Sequence, residues 1–248
     1  MVLNMKIACV IPARLNSSRF PRKIVAQLHG RPLIQWVWEA ALKVPFFDSV
    51  TIAIDSPETE EVVRSFGGNY RMTSPDCPNG TLRLCSLVDA IEGDIFVCWQ
   101  GDEPFLNTEM IRELLQSAGK DEADIWTLKK TITDLNAAAS PHVCKVVTDN
   151  QGYALYFSRS LIPYHRDIPP TSFEKHIGIY SIGSIIGNHR DDFPVLCNIY
   201  FCNIPFLHIS NIFSAQEITW AIVFYLYKIV SIGPTGFLIG NGRGFIGV

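Results

Sequence analysis

The chain has seven cysteines but no Cys-x-x-Cys pair. Positions 9, 77, 85, 98, 144, 197 and 202 are scattered and odd in number, which excludes a zinc-ribbon pattern and argues against a disulfide framework. They read as reduced thiols of a cytosolic protein, and Cys9 and Cys98, inside apolar runs, read as core. His29, His142, His189 and His208 form no metal spacing with them. There is no Gly-x-Gly-x-x-Gly fingerprint and no Gly-x4-Gly-Lys-Ser/Thr loop, so neither a dinucleotide-dependent oxidoreductase nor a P-loop NTPase has sequence support. The longest apolar stretch, ITWAIVFYLYKIVSI at 218–232, is short and interrupted by Lys228, so no membrane span is expected. MVLNMKIACVIP is punctuated by Pro12 too soon for a signal peptide. A net charge of −3 offers no bulk surface for nucleic acid. Charge is also scarce toward the end. Residues 181–248 hold only Asp191, Asp192 and Glu217 of 24 acidic residues, and Arg190, Lys228 and Arg243 of 21 basic ones.

What is present is a core-forming chain: 248 residues, 48% apolar, enough for one large domain or a domain with a smaller lobe. Buried strands are expected at 7–12, 49–55, 70–73 and 94–99. Helices are expected at 32–43, 57–66, 81–91 and 107–118. The first has Leu33, Trp36, Val37, Ala40 and Ala41 as its apolar face, and the last has Asn107 as its cap. This alternation is the α/β pattern with a mainly parallel sheet. Such sheets bind ligands at the carboxyl ends of their strands, here residues 13–23, 55–57, 74–83 and 100–104. Further strands are expected at 124–130, 143–149, 153–159 and 178–182; beyond them no period is evident.

Arg14, Arg19, Arg22 and Lys23 crowd the first of these segments, with Ser17 and Ser18 between them. The segment could clamp a polyphosphate or be a solvated basic turn. Asp102 in Gln-Gly-Asp-Glu-Pro (100–104) stands at a strand end facing that loop, where a carboxylate can hold Mg²⁺ against phosphates; capping the next turn is the alternative. Gly101 suits a close backbone approach. Glu103 could be a second ligand, an ion-pair partner or surface. Asn-Gly-Thr-Leu-Arg (79–83) could line a base or phosphate pocket, or be a helix cap followed by an exposed Arg. His176 could serve a site or be a satisfied structural histidine, and Arg159 and His165 flank a segment that could meet an anion.

Five segments in order, IPARLNSSRFPRK, QGDEP, KVVTD, YFSRSLIPY and HIGIY, resemble the 3-deoxy-manno-octulosonate (Kdo) cytidylyltransferases over about residues 5–182. The resemblance implies a nucleotide-diphospho-sugar transferase-like α/β fold, a mainly parallel Rossmann-like sheet flanked by helices with a smaller mixed lobe. It implies transfer of CMP from CTP to Kdo, giving CMP-Kdo and pyrophosphate for lipopolysaccharide biosynthesis. It also implies Mg²⁺ as cofactor, a homodimer and a cytoplasmic location. Carried over position by position, Arg14, Ser17, Arg19 and Lys23 form the nucleotide loop, with Thr81, Arg83 and Gln100 in the nucleotide pocket. Asp102 takes the metal, and Arg14, Lys23 and Asp102 form the catalytic set. Lys145 lies near the site; Arg159, His176 and Tyr180 lie on the sugar side.

The chain departs from the family in three places. Asn79 and Leu82 replace Ser and Asp of a Ser-Gly-Thr-Asp-Arg segment, and Arg22 replaces the Gly of Pro-Gly-Lys. After HIGIY, the family's Glu-x-Leu-Glu-Gln-Leu-Arg and Asp-Thr-Pro-Glu-Asp-Leu segments are missing, so 1–182 reads as the cytidylyltransferase-like domain and 183–248 as an atypical segment, frameshifted or divergent. A CTP-binding protein with impaired catalysis, or a cytidylyltransferase for another acidic sugar, is the alternative.

Overall fold

The computed structural model describes residues 5–16, 20–117, 123, 125–167, 170–183 and, as backbone, 227–231. Three apolar runs make the centre of one sheet: β1 (Ile7–Ala13), β4 (Ser49–Ile54) and β6 (Ile95–Trp99). Apart from Ser49 and Thr51 of β4, they are apolar at every step rather than every second one, because both faces of the sheet are covered. The two-residue period sorts them into two cores. Ile7, Cys9 and Ile11 of β1 share one core with Ile95, Val97 and Trp99 of β6, while Ala8, Val10, Phe96 and Cys98 belong to the other.

The first core is capped by α1 (Leu33–Leu42), α2 (Pro57–Ser65) and α4 (Thr108–Ser117) through Ile34, Val37, Trp38, Val63, Ile111 and Leu114. The buried face of α1 thus differs from the expected one. Ile34, Val37, Trp38 and Ala41 turn inward, while Trp36 lies outside, its Nε1 donating to Leu28 O at 2.9 Å and its ring under Arg31. The second core is covered by α3 (Gly80–Cys85) with Leu87 and Val88. A helix over 81–91 was expected. It stops at Cys85, where the Ser86 hydroxyl takes the Arg83 carbonyl at 2.8 Å, and turns continue the chain.

β4, β1 and β6 pair in parallel, and β5 (Tyr70–Met72) extends them parallel to β4. On the other side β10 (Phe173–Ile182) runs antiparallel to both β6 and β7 (Ile125–Ile132), with a bulge between Ile177 and Tyr180. The hairpin β8 (Lys145–Thr148) and β9 (Ala154–Ser158) joins through β8 to β10 as a small lobe, antiparallel throughout rather than mixed as expected. β11 (Tyr227–Ser231), inside the apolar stretch 218–232, lies parallel to β7. β2 (Gln27–Leu28), β3 (Arg31–Pro32) and the short helix α5 (Leu135–Ala139) were not expected. Among the described residues no helix is long and apolar enough to cross a membrane. Apart from β11 and Gly183, the reading of 183–248 as an atypical segment falls outside the described residues.

Candidate active site

Two strand ends and the segment entering α3 meet at one edge of the sheet and enclose a cleft of about 280 Å³. The β1 end contributes Pro12, Arg14, Lys23 and Ile24. The segment entering α3 contributes Pro78, Asn79, Gly80 and Arg83, and the β6 end contributes Gln100, Gly101 and Asp102. Two glycines let these segments close on one another. Gly101 N–H donates to Pro12 O at 3.2 Å, and a Cβ there would lie 2.8 Å from that same oxygen. A Cβ on Gly80 would lie 2.8 Å from Gln100 Oε1.

At the cleft mouth Lys23 Nζ donates to Asp102 Oδ2 at 2.7 Å, with side chains 40% and 42% exposed. Both ends of this pair are wet, so it contributes only about 0–1 kcal/mol to folding. The two groups are held together yet open to a ligand. Glu103 beside them is half-buried; burial first, and then the Asp102 charge, push its carboxyl above the ordinary range against the pull of Lys175 and Lys23. Asn79 caps α3, its Oδ1 accepting from Leu82 N–H at 2.8 Å, and also lines the cleft.

Arg83 is not the exposed Arg that the Asn-Gly-Thr-Leu-Arg segment allowed. Its side chain is 1% exposed, with Nη2 3.0 Å from Asp55 Oδ2 and Nη1 on Thr73 Oγ1 and, at 3.2 Å, Ser74 O. Asp55 Oδ1 accepts from Leu15 N–H at 2.9 Å. The sequence placed Asp55 in the 55–57 segment at the ligand-binding edge of the sheet but gave it no individual role; a carboxylate at a parallel-strand end was the signal available. Thr81 is buried at 3% exposure in α3 and is not among the cleft-lining residues. Ser17 and Arg19 lie outside the described residues.

Arg22, where the family pattern has Gly, adopts φ 59° and ψ 24°, a left-handed conformation that suits glycine. Its guanidinium pairs with Glu58 on α2 and is not part of the cleft lining.

The residues expected on the sugar side stand apart from the cleft lining, on β10 and the small lobe. β10 adjoins β6, with Tyr180 opposite Cys98, so His176 and Tyr180 lie on the strand next to the one that ends in Gln100 and Asp102. Thr127 Oγ1 is 3.0 Å from His176 Nε2, and the Phe157 and Tyr180 rings pack at 4.9 and 5.5 Å. Burial lowers the His176 pKa to about 4, so its imidazole is neutral at physiological pH, and burial raises the Tyr180 phenol. Arg159 Nη1 donates to Pro141 O at 2.9 Å and His142 O at 3.3 Å. Lys145 is enclosed; its Nζ donates to Val143 O at 2.9 Å, Ser140 O at 3.3 Å and Arg159 O, which makes it a clamp on two backbone segments.

Among the described residues no group of three or more His, Cys, Asp or Glu could hold a metal ion alone. The exposed Asp102 carboxylate still fits Mg²⁺, a hard cation bound through one or two carboxylates plus substrate phosphates rather than an all-protein cage.

An open α/β sheet whose strand ends combine cations, one accessible carboxylate and a glycine-closed pocket has the chemistry of a site for a phosphate-bearing substrate. Comparison with known proteins narrows this. The cytidylyltransferase family matches residues 8–194. The 3-deoxy-manno-octulosonate cytidylyltransferases of Geotalea daltonii and Geobacter sulfurreducens are 41% and 40% identical over 188 residues, 71% of this chain and 74% and 75% of theirs. A solved structure of CMP:2-keto-3-deoxy-manno-octonic acid synthetase complexed with CTP superposes with a TM-score of 0.73 at 35% identity, covering 92% of this chain and 90% of that one. The chain belongs to the 3-deoxy-manno-octulosonate cytidylyltransferase family.

Proposed function

We propose that the chain transfers CMP from CTP to Kdo, forming CMP-Kdo and pyrophosphate and so activating Kdo for lipopolysaccharide biosynthesis. The observation that carries this reading is the accessible Lys23–Asp102 pair in the cleft beside Arg14 and Gln100. The sugar hydroxyl, ionised by loss of its proton to solvent, attacks the α-phosphorus in line, the bond from that phosphorus to the bridging oxygen of the β-phosphate breaks, and pyrophosphate leaves. Arg14 and Lys23 hold the triphosphate and neutralise the departing pyrophosphate, with Ser17 and Arg19 completing their loop. Gln100 and the Asn79–Gly80 turn face the nucleoside. Thr81, being buried, supports the pocket through packing, and Arg83 forms its wall.

Asp102 would hold Mg²⁺ jointly with phosphate oxygens, which supplies charge stabilisation at the reacting phosphoryl group. Releasing Asp102 to that role frees Lys23 for the phosphates. Arg159, His176 and Tyr180 serve the sugar side, a reading supported by the adjacency of β10 and β6. The neutral His176 can orient a hydroxyl but adds no charge. The catalytic work is mainly alignment and electrostatics. We place the enzyme in the cytoplasm as a homodimer; the scattered, odd-numbered cysteines suit a reducing compartment, and the family resemblance supports the dimer.

A CTP-binding protein without catalysis is not favoured by relatives of this similarity. Purified chain incubated with CTP, Kdo and Mg²⁺ is expected to release pyrophosphate only when Kdo is present, and more slowly with other acidic sugars. A folded chain that releases none refutes the proposal.

A further inference from the structure

We infer that Asp55 is a positioning residue that sets both cations of the phosphate clamp without touching either. The inference rests on the proposed reaction at the same cleft. The Asp55 side chain is 8% exposed, so its two oxygens are committed to protein partners. Oδ2 faces Arg83 at 3.0 Å, and Arg83 is fastened in turn to Thr73 and Ser74. Oδ1 takes Leu15 N–H at 2.9 Å. One carboxylate therefore ties the β1 loop to the end of β4, to the segment after β5 and to α3.

The position of Leu15 explains why this matters for the clamp. Arg22 N–H donates to Leu15 O at 3.1 Å, so Leu15 and Arg22 form the neck of the loop. Arg14 stands just before the neck and Lys23 just after it, and both line the cleft. A displaced Leu15 moves the two together. The anchor is also strong for its size. It is a charge-assisted hydrogen bond in a site shielded from water, backed by the buried Arg83 guanidinium.

Asp55→Glu tests this while keeping a negative charge opposite Arg83. The longer arm cannot keep both bonds in place. The Leu15 amide, followed by hydrogen exchange, is expected to exchange about tenfold faster. KM for CTP is expected to rise about tenfold with KM for Kdo unchanged, whereas a merely structural lesion would lower the active fraction and leave KM for CTP where it was. An unchanged Leu15 exchange rate, or an unchanged KM for CTP in folded Asp55→Glu, overturns the inference. So does a Leu15 amide that is unprotected in the unaltered protein, a result that does not depend on the variant folding. Absence of turnover in the unaltered protein would count against the proposed reaction, and Leu15 exchange would still decide the anchoring.

Discussion

Removing the Arg83 guanidinium from the cleft wall should damage the fold more than almost any other single polar change. Arg83 is 1% exposed and Asp55 8%, and Arg83 makes three contacts, to Asp55, Thr73 and Ser74. In Arg83→Met the apolar volume is largely kept, but the Asp55 carboxylate is left buried with the Leu15 N–H as its remaining partner. Breaking a buried pair from one side costs about 3–5 kcal/mol, because an uncompensated charge stays behind. At about 2–4 °C per kcal/mol for a chain of this size, the melting temperature should fall by roughly 10 °C. Equilibrium urea denaturation of the single and double variants separates the causes. Asp55→Asn/Arg83→Met removes the stranded charge, and its amide oxygen can still accept from Leu15. The double variant should therefore be more stable than the sum of the two singles predicts, by about 1–3 kcal/mol. Additive losses, or an Arg83→Met cost under about 1 kcal/mol, would refute the reasoning.

Arg22→Gly relieves a left-handed backbone worth about 1–2 kcal/mol while giving up an exposed pair with Glu58 worth about 0–1 kcal/mol. In urea denaturation it should be more stable than Arg22→Ala, which keeps the strain and loses the pair; the reverse order contradicts the assignment. Gly101→Ala drives a Cβ to 2.8 Å from Pro12 O, and should cost about 1–3 kcal/mol and at least tenfold in kcat/KM for CTP; near-normal activity would show that the strand ends need not close so tightly. His176 stays neutral in the folded chain down to about pH 4, whereas the unfolded chain protonates it below about 6.5. Stability should therefore fall as pH drops from about 6.5 to about 4, by up to about 3 kcal/mol, with no effect above that window. His176→Gln should flatten the slope by up to one proton, and an unchanged slope would refute the assigned neutral state.

Fold and site were legible where local pattern and tertiary role agree. β1 and β6 are unbroken apolar runs because both sheet faces are covered, and Asn107 announces α4 by capping Met110 N–H at 3.1 Å. Legibility fails where partners are remote. Asp55 works through residues 28 and 40 positions away, which no local pattern reports. An Arg in a turn-rich segment reads as exposed, so the burial of Arg83 was hidden until Asp55 stood opposite it. In the small lobe the strands expected at 143–149 and 153–159 are β8 and β9, whereas β10 was expected only from residue 178 and begins at Phe173, its period broken by the bulge between Ile177 and Tyr180. Arg22 shows the converse case: it stands where the family pattern has Gly, and its backbone adopts the positive φ that glycine favours.

The central claim is that the Lys23–Asp102 mouth of this cleft carries CMP transfer. It is tested most directly by measuring CMP-Kdo formed from CTP, Kdo and Mg²⁺ by the unaltered chain and by Asp102→Asn, both verified as folded. The account predicts product from the first and a loss of at least about a hundredfold in the second. Equal product from both, or none from the unaltered chain, would contradict it.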